Sequence, residues 1–232
     1  MICQLCRKEK VLLKKSHIIF NFMYKKLFGK AHKLIEIELE TLKKVRTTFS
    51  GYYEKEILCA QCDNELLSKF ETYASAALYA HGDSATRKAV QKQLQVSEDG
   101  LRYYSYVNLD YTKLKLFFLS ILWRAHIARQ DFFSGVDLGK YAEKTRLMLL
   151  AGDPGKEDEL ETCIIQFEDD GSRPYRALID FRKVSHEGNT YYVFHMDNMM
   201  YNFNISPHGK ESIFLKGLLR MNGTMDVALI GD

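Results

Sequence analysis

Apolar and polar residues alternate most cleanly in LIEIELE (34–40), where Ile35, Ile37 and Leu39 are interleaved with Glu36, Glu38 and Glu40. A period of two is that of a half-buried strand, and the β-branched and aromatic run KVRTTFSGYY (44–53) is its expected partner. From Cys62 the period lengthens. Leu66, Leu67, Phe70, Tyr73, Ala74, Ala77 and Leu78 recur at the three-to-four spacing of an amphipathic helix that His81-Gly82 ends. Upstream, SHIIFNFMYKKLFG (16–29) predicts a short helix with Ser16 as N-cap and Gly29 just past its end.

The polar stretch 81–100 predicts a short exposed helix, and YYSYVNLD (103–110) a strand. Residues 110–130, starting from a cap at Asp110, form the strongest core helix, with Phe117, Leu119, Ile121 and Leu122 inside. A second helix is expected over 136–155, closed by Gly152 and Pro154. After residue 158 the pattern turns to strands: TCIIQFE, YRALIDFRKV, TYYVFHM and MYNFNIS, with a hairpin turn at Gly188-Asn189 and a last hairpin around Asn222-Gly223. The fold class is α+β, with a boundary expected between residues 1–82 and a remainder, 83–232, made of a helical middle and a β-rich tail.

The chain has 232 residues, 46% hydrophobic, which allows a sizeable core and excludes a disordered chain. Its net charge of +3 does not announce nucleic acid, but the distribution is uneven. Residues 1–50 carry twelve Lys/Arg against four Glu, a net of +8, whereas residues 152–180 carry nine acids against three bases, a net of −6. A polyanion would be met by the front of the molecule; a solvated surface of uneven charge is the plainer alternative. The front lacks the apolar h-region of a secretory signal. The uncharged core of the most apolar run, Leu116 to Trp123, is eight residues long, against about 20 needed to cross a bilayer. A cytoplasmic protein without membrane contact is expected, where C-x-x-C pairs signify metal or redox chemistry.

Four of the five cysteines form two such pairs, Cys3/Cys6 and Cys59/Cys62. Each tight turn aims two sulfurs at one point, and two turns supply the four thiolates of a closed structural zinc site. A knuckle, an intervening hairpin and a helix carrying the last ligand is the treble-clef layout. Redox pairing is the rival for either pair alone, and Cys163 reads as a buried strand residue.

The sequence CQLC, then KKSHII, then ILCAQCDNEL just before a helix resembles the zinc-stapled HNH endonucleases over residues 1–80. The resemblance implies that His17 is the general base that activates water. It also implies that Mg²⁺ or Mn²⁺ is held by the residue after the last cysteine, here Asp63, and by the acid before the histidine, where this chain has Ser16. Glu54 falls where the family has its middle Asn and offers a second carboxylate. Such proteins occur in bacterial and phage homing, restriction and defence systems. Arg7, Lys8, Lys10, Lys14 and Lys15, with Lys25, Lys26 and Lys30 further on, are the candidate phosphate contacts on DNA or RNA.

Plainer readings stand beside these. His17 is equally a packed histidine in the first turn of a capped helix, and Asp63 a first-turn acid favoured by the helix dipole. Trp123-Arg124 is a stacking pair or, as expected of a large aromatic in an apolar stripe, core packing. Two functions follow: an HNH-like nucleic-acid enzyme or its weakened descendant, or a non-catalytic zinc scaffold that binds a partner protein or ligand.

Overall fold

A computed structural model of the chain describes all residues except 29–33, 39–42, 49–50, 169–176, 207–216 and 232. In chain order the elements are β1 (Ser16–His17), β2 (Leu34–Glu38), β3 (Lys43–Thr48), β4 (Tyr53–Glu54), α1 (Ser68–Tyr79), α2 (Ser84–Ala89), β5 (Gln91–Val96) and β6 (Arg102–Val107). There follow α3 (Tyr111–Ile127), α4 (Tyr141–Ala151), β7 (Thr162–Phe167), β8 (Ala177–His186), β9 (Asn189–Asp197), β10 (Met199–Asn204) and β11 (Met225–Ile230). The protein is α+β, with a seven-stranded sheet ordered β5-β6-β11-β7-β10-β9-β8. Only the β11–β7 pair in that sheet is parallel.

The expected core helix is α3. The Asp110 side chain accepts from the Lys113 N–H at 3.0 Å, and the helix is buried on nearly every side, Phe117, Leu119, Ile121 and Leu122 included. No stripe on α3 is left for solvent because its faces meet different neighbours. Phe117 packs on Phe20 at 5.4 Å between ring centroids, and Phe118 meets Tyr201 of β10 at 6.0 Å. One continuous core therefore runs from the cysteine end through α3 to the sheet.

Several elements differ from expectation. Residues 16–28 are not a helix: β1 is followed by a 3-10 turn at Asn21–Tyr24, and Gly29, expected to end the helix, lies outside the described residues. Ile18, Ile19 and Phe20 are buried in succession, which one face of a helix cannot do. The chain is extended there instead, with the Ile18 N–H donated to the Tyr52 carbonyl at 2.9 Å. Gly51 is required nearby, since a Cβ at that position would run into the Tyr24 ring. The polar stretch after residue 81 holds α2, as expected, and also β5, whose residues are all exposed. Strand pairing rather than burial sustains β5, which runs in register from Gln91↔Val107 to Val96↔Arg102.

The β8–β9 turn is Glu187-Gly188, one residue earlier than expected, with φ of 48° and 75°; two positive φ values are what a two-residue hairpin turn demands. Asn222-Gly223 does sit in a turn, but β11 then pairs with β6 and β7 rather than with the segment before it. The helix that follows Cys62 opens as a π-helical turn, Gln61–Leu67, and ends at Ala80 in the left-handed region.

Candidate functional site

The cysteine pairs are brought together by main-chain bonds. Cys3 donates to the Lys8 carbonyl at 3.0 Å and Arg7 to the Cys3 carbonyl at 2.9 Å, with Arg7 at a φ of 58°. Gln4 and Leu13 then donate to the carbonyls of Ile57 and Leu58 at 2.9 and 2.8 Å, lacing the first knuckle to the second. As a result, the four sulfurs of Cys3, Cys6, Cys59 and Cys62 all lie within 4.8 Å of one another. A tetrahedral ion with metal–sulfur bonds of about 2.3 Å can close such a set.

The electrostatics suit a cation. Burial works against a thiolate at Cys3, yet the amides of Cys6, Cys59 and Leu5 draw its thiol down to about 7. The Cys59 amide reaches the Cys3 sulfur at 3.4 Å. Burial first, then the neighbouring sulfurs, push the Cys62 thiol up. The second pair thus ionises when a cation offsets the charge. Cys163 is apart from this group, buried in β7, where burial raises its thiol. Among the described residues these four cysteines are the group that can hold a metal ion.

The described part of the strand pair beside this group is β1 with β4, in register Ser16↔Glu54 and His17↔Tyr53. His17 is half-buried, its Nε2 lacks a hydrogen-bond partner among the described residues, and burial, then the charges of Lys15 and Arg124, hold its pKa below the usual value. Ser16 is fully buried, and its Oγ also lacks a partner among the described residues.

The acids are engaged. Asp63 receives Arg124 of α3 at 2.6 Å, and the same guanidinium reaches Glu71 of α1 at 2.8 Å and the His17 carbonyl at 2.6 Å. Arg124 also lies over the Phe20 ring, 5.1 Å from its centroid. The Glu71 carboxyl is pushed up to about 7, mainly by burial. Glu54 accepts from the Arg129 N–H at 2.9 Å and from Gln130 at 3.3 Å, just past the end of α3. The charge of Asp63 acts on His17, whereas Glu54, paired with Ser16 across the strands, is directed to Arg129 and Gln130. The buried Arg124 cation already holds the carboxylate that follows the last cysteine.

Arg124 and Glu71 are the site residues that the sequence reading missed. Trp123 is core, 2% exposed, while Arg124 beside it is no stacking partner of a ligand but the hub of the polar cluster. Arg146 of α4 plays a similar role at the first knuckle, where it donates to the Leu5 carbonyl and pairs with Glu143. Of the proposed phosphate contacts, Arg7, Lys8, Lys10, Lys14, Lys15, Lys25 and Lys26 are all exposed. Lys15 lies over the Tyr53 ring at 4.3 Å and Lys26 stands 3.9 Å from Asp197. Lys30 lies outside the described residues. No described helix is long and apolar enough to cross a membrane.

The chain matches no protein-family model, no curated protein and no solved structure.

Proposed function

We propose that residues 1–82 form a zinc-stapled, treble-clef, HNH-like module that binds duplex nucleic acid through its zinc-end bases and has lost cleavage. Four thiolates make a soft, closed set, the preference of structural zinc. Arg7, Lys8, Lys10, Lys14 and Lys15 stand exposed around the knuckle and the strand pair, where a phosphate backbone can be tracked without reading bases.

One observation carries the loss of cleavage. The Arg124 guanidinium, 1% exposed, draws together Asp63, Glu71 and the His17 carbonyl. These are the hard oxygen donors that Mg²⁺ or Mn²⁺ would need. A fixed organic cation satisfies the carboxylates but has no open position for water or a phosphate oxygen. The module keeps the scaffold of such an enzyme and serves as a binding unit, in a cytoplasmic bacterial or phage defence or mobile-element setting.

The hydrolytic reading rests on His17, whose pKa is lowered by burial and whose Nε2 has no hydrogen-bond partner among the described residues, as a general base requires. The test is fluorescence anisotropy with a 30-base-pair duplex, in parallel with plasmid incubation in Mg²⁺ and Mn²⁺. Binding is expected to fall steeply with salt, to weaken in Lys10→Gln/Lys14→Gln/Lys15→Gln, and to leave the plasmid intact. Metal-dependent nicking that disappears in His17→Ala replaces this reading with the nuclease. No duplex binding at low salt replaces it with a zinc scaffold for a partner protein or ligand.

A further inference from the structure

The exposed bases divide into two groups. α1 starts beyond the second cysteine pair and, at twelve residues, carries the chain about 18 Å away from it. At its far end Phe22 packs edge-on against Tyr79 at 5.1 Å, which sets Lys25 and Lys26, just past the 3-10 turn, beside the last turn of α1. The chain then reverses at Ala80, α2 begins from its Asp83 cap, and β5 follows. Arg87 of α2 and Lys92 of β5 therefore join Lys25 and Lys26 on one surface. The repulsion among these cations is visible in their neighbours. Behind burial, Lys25, Lys26 and Arg87 all lower the pKa of His81, and Lys26 lowers that of Lys92.

Among the described residues the acids beside this surface are Asp83 and Asp197. The Asp83 carboxylate is taken up by the N–H groups of Ala85 and Thr86 at 3.1 and 2.9 Å. Asp197 is 4% exposed and stands 3.9 Å from Lys26. Beside the cations runs β5, the sheet's edge strand, with Gln91, Gln93 and Gln95 exposed. The Lys92 ammonium rests 3.6 Å from the centroid of the Tyr104 ring on β6 and 5.4 Å from that of Tyr106.

We propose that the β5 edge, with Lys25, Arg87, Lys92 and Tyr104, is a binding surface for single-stranded nucleic acid. The cations meet phosphates. As Lys92 swings from the Tyr104 ring to a phosphate, it uncovers a ring face on which a base stacks. Only an unpaired base can lay its face on that ring, and this favours a single strand over a duplex, an acidic peptide or an anionic membrane. The surface is separate from the zinc-end bases assigned to duplex binding, and the inference goes beyond that reading.

The test uses the zinc-loaded full chain and fluorescein-labelled 20-mers of oligothymidylate and oligouridylate. Binding is expected to fall with salt. In Lys25→Gln/Arg87→Gln/Lys92→Gln it should weaken at least about tenfold, with the slope of log K against log salt reduced by about 2, from three phosphates at about 0.7 each. Tyr104→Leu should weaken it about fivefold or more with the slope unchanged, which is the signature of lost stacking. Lys10→Gln/Lys14→Gln/Lys15→Gln should weaken single-strand binding less than the β5-edge variant does and duplex binding more, so each surface fails or stands alone. Zinc content and circular dichroism check that the variants are folded. Single-strand affinity unchanged in the triple β5-edge variant overturns the inference. So does undetectable binding at about 50 mM salt, or equal competition by a 20-base-pair duplex, polyglutamate or phosphatidylserine vesicles.

Discussion

Arg124 on the central helix and Asp63, one residue past the last cysteine, form an ion pair of 2.6 Å with 1% and 11% of their side chains exposed. This contact ties the metal end to the core, and it is shared with Glu71 at 2.8 Å. Breaking a buried pair leaves uncompensated charge, which typically costs about 3–5 kcal/mol. Arg124→Ala is expected to lose about that much stability in urea titrations. With the guanidinium gone, Asp63 and Glu71 face one another without a cation. Millimolar Mn²⁺ should then raise the melting temperature of Arg124→Ala and leave the wild type unmoved. If both respond alike, Arg124 does not stand in for a metal.

Glu71 gives the same cluster a pH signature. Its carboxyl moves from 4.5 to about 7, through burial first, with Arg124 opposing and Asp63 reinforcing the rise. A group that ionises later in the folded state than in the unfolded contributes stability below about 4.5, and that stability is lost as pH rises through about 7. Unfolding free energies from pH 4 to 8 should slope downward more in the wild type than in Glu71→Gln. Identical slopes would locate the titration elsewhere.

The cysteine assignment predicts one tightly held metal per chain. Cys59→Ser should release it and loosen residues 1–82, because Cys59 both offers a ligand and carries the bridge to Leu12. Cys163→Ser should leave metal content unchanged, since its buried thiol is in β7. Metal analysis by mass spectrometry after gel filtration decides both. Structural zinc contributes about 10–16 kcal/mol in isolated fingers. Here the knuckles share a core with α3, so near-ultraviolet dichroism of the rest of the chain should survive a chelator.

The sequence was legible where one local signal dominates. Paired cysteine spacing gave the four-cysteine group, an Asp cap before an unbroken apolar run gave α3, and alternation gave β2 and most of the large sheet, with β-branched residues giving β3. It misled where a residue's neighbours lie far away in the chain. Ser16 reads as a helix cap, but Tyr52 and Glu54 draw that segment into an extended pair. Gln91–Val96 falls in the polar stretch that predicts only a short exposed helix, until β6 is placed alongside it. Arg124 reads as the polar residue of an apolar helix, because its three oxygen partners lie 53, 61 and 107 positions away.

The same long-range packing reverses an intuitive repair. Placing an acid before His17 with Ser16→Asp is attractive from the resemblance to HNH endonucleases, since it would give a cation a second carboxylate. Ser16, however, is 0% exposed, and its Oγ meets no donor among the described residues. A charge there is desolvated with nothing to pair it, a cost of several kcal/mol. Ser16→Asp should lower the urea midpoint sharply and create no divalent-dependent cleavage, while Ser16→Ala should be nearly neutral. A stable, cutting Ser16→Asp protein would show that a cation can enter despite Arg124.

Lys115 supplies the last prediction. It is 1% exposed on the most buried helix of the chain, and burial pulls its pKa from 10.5 down to about 7. Glu161, Glu159, Asp158 and Glu157 oppose that fall through their charges, though none forms an ion pair with it among the described residues. The unfolded chain holds the proton more tightly than the folded one. Its contribution to stability is therefore fully present above about 10.5 and is lost as pH falls through about 7. Lys115→Met keeps the side-chain volume and removes the charge. It should stabilise the protein at pH 6 by about 1–4 kcal/mol, the range seen when buried charge gives way to packed apolar groups. The gain should shrink toward pH 10, where the buried amine is neutral and the unfolded one nears its own titration at 10.5. Urea titrations at pH 6 and pH 10 measure the difference, and a gain that does not change with pH would mean that the ammonium is already satisfied by the acidic loop.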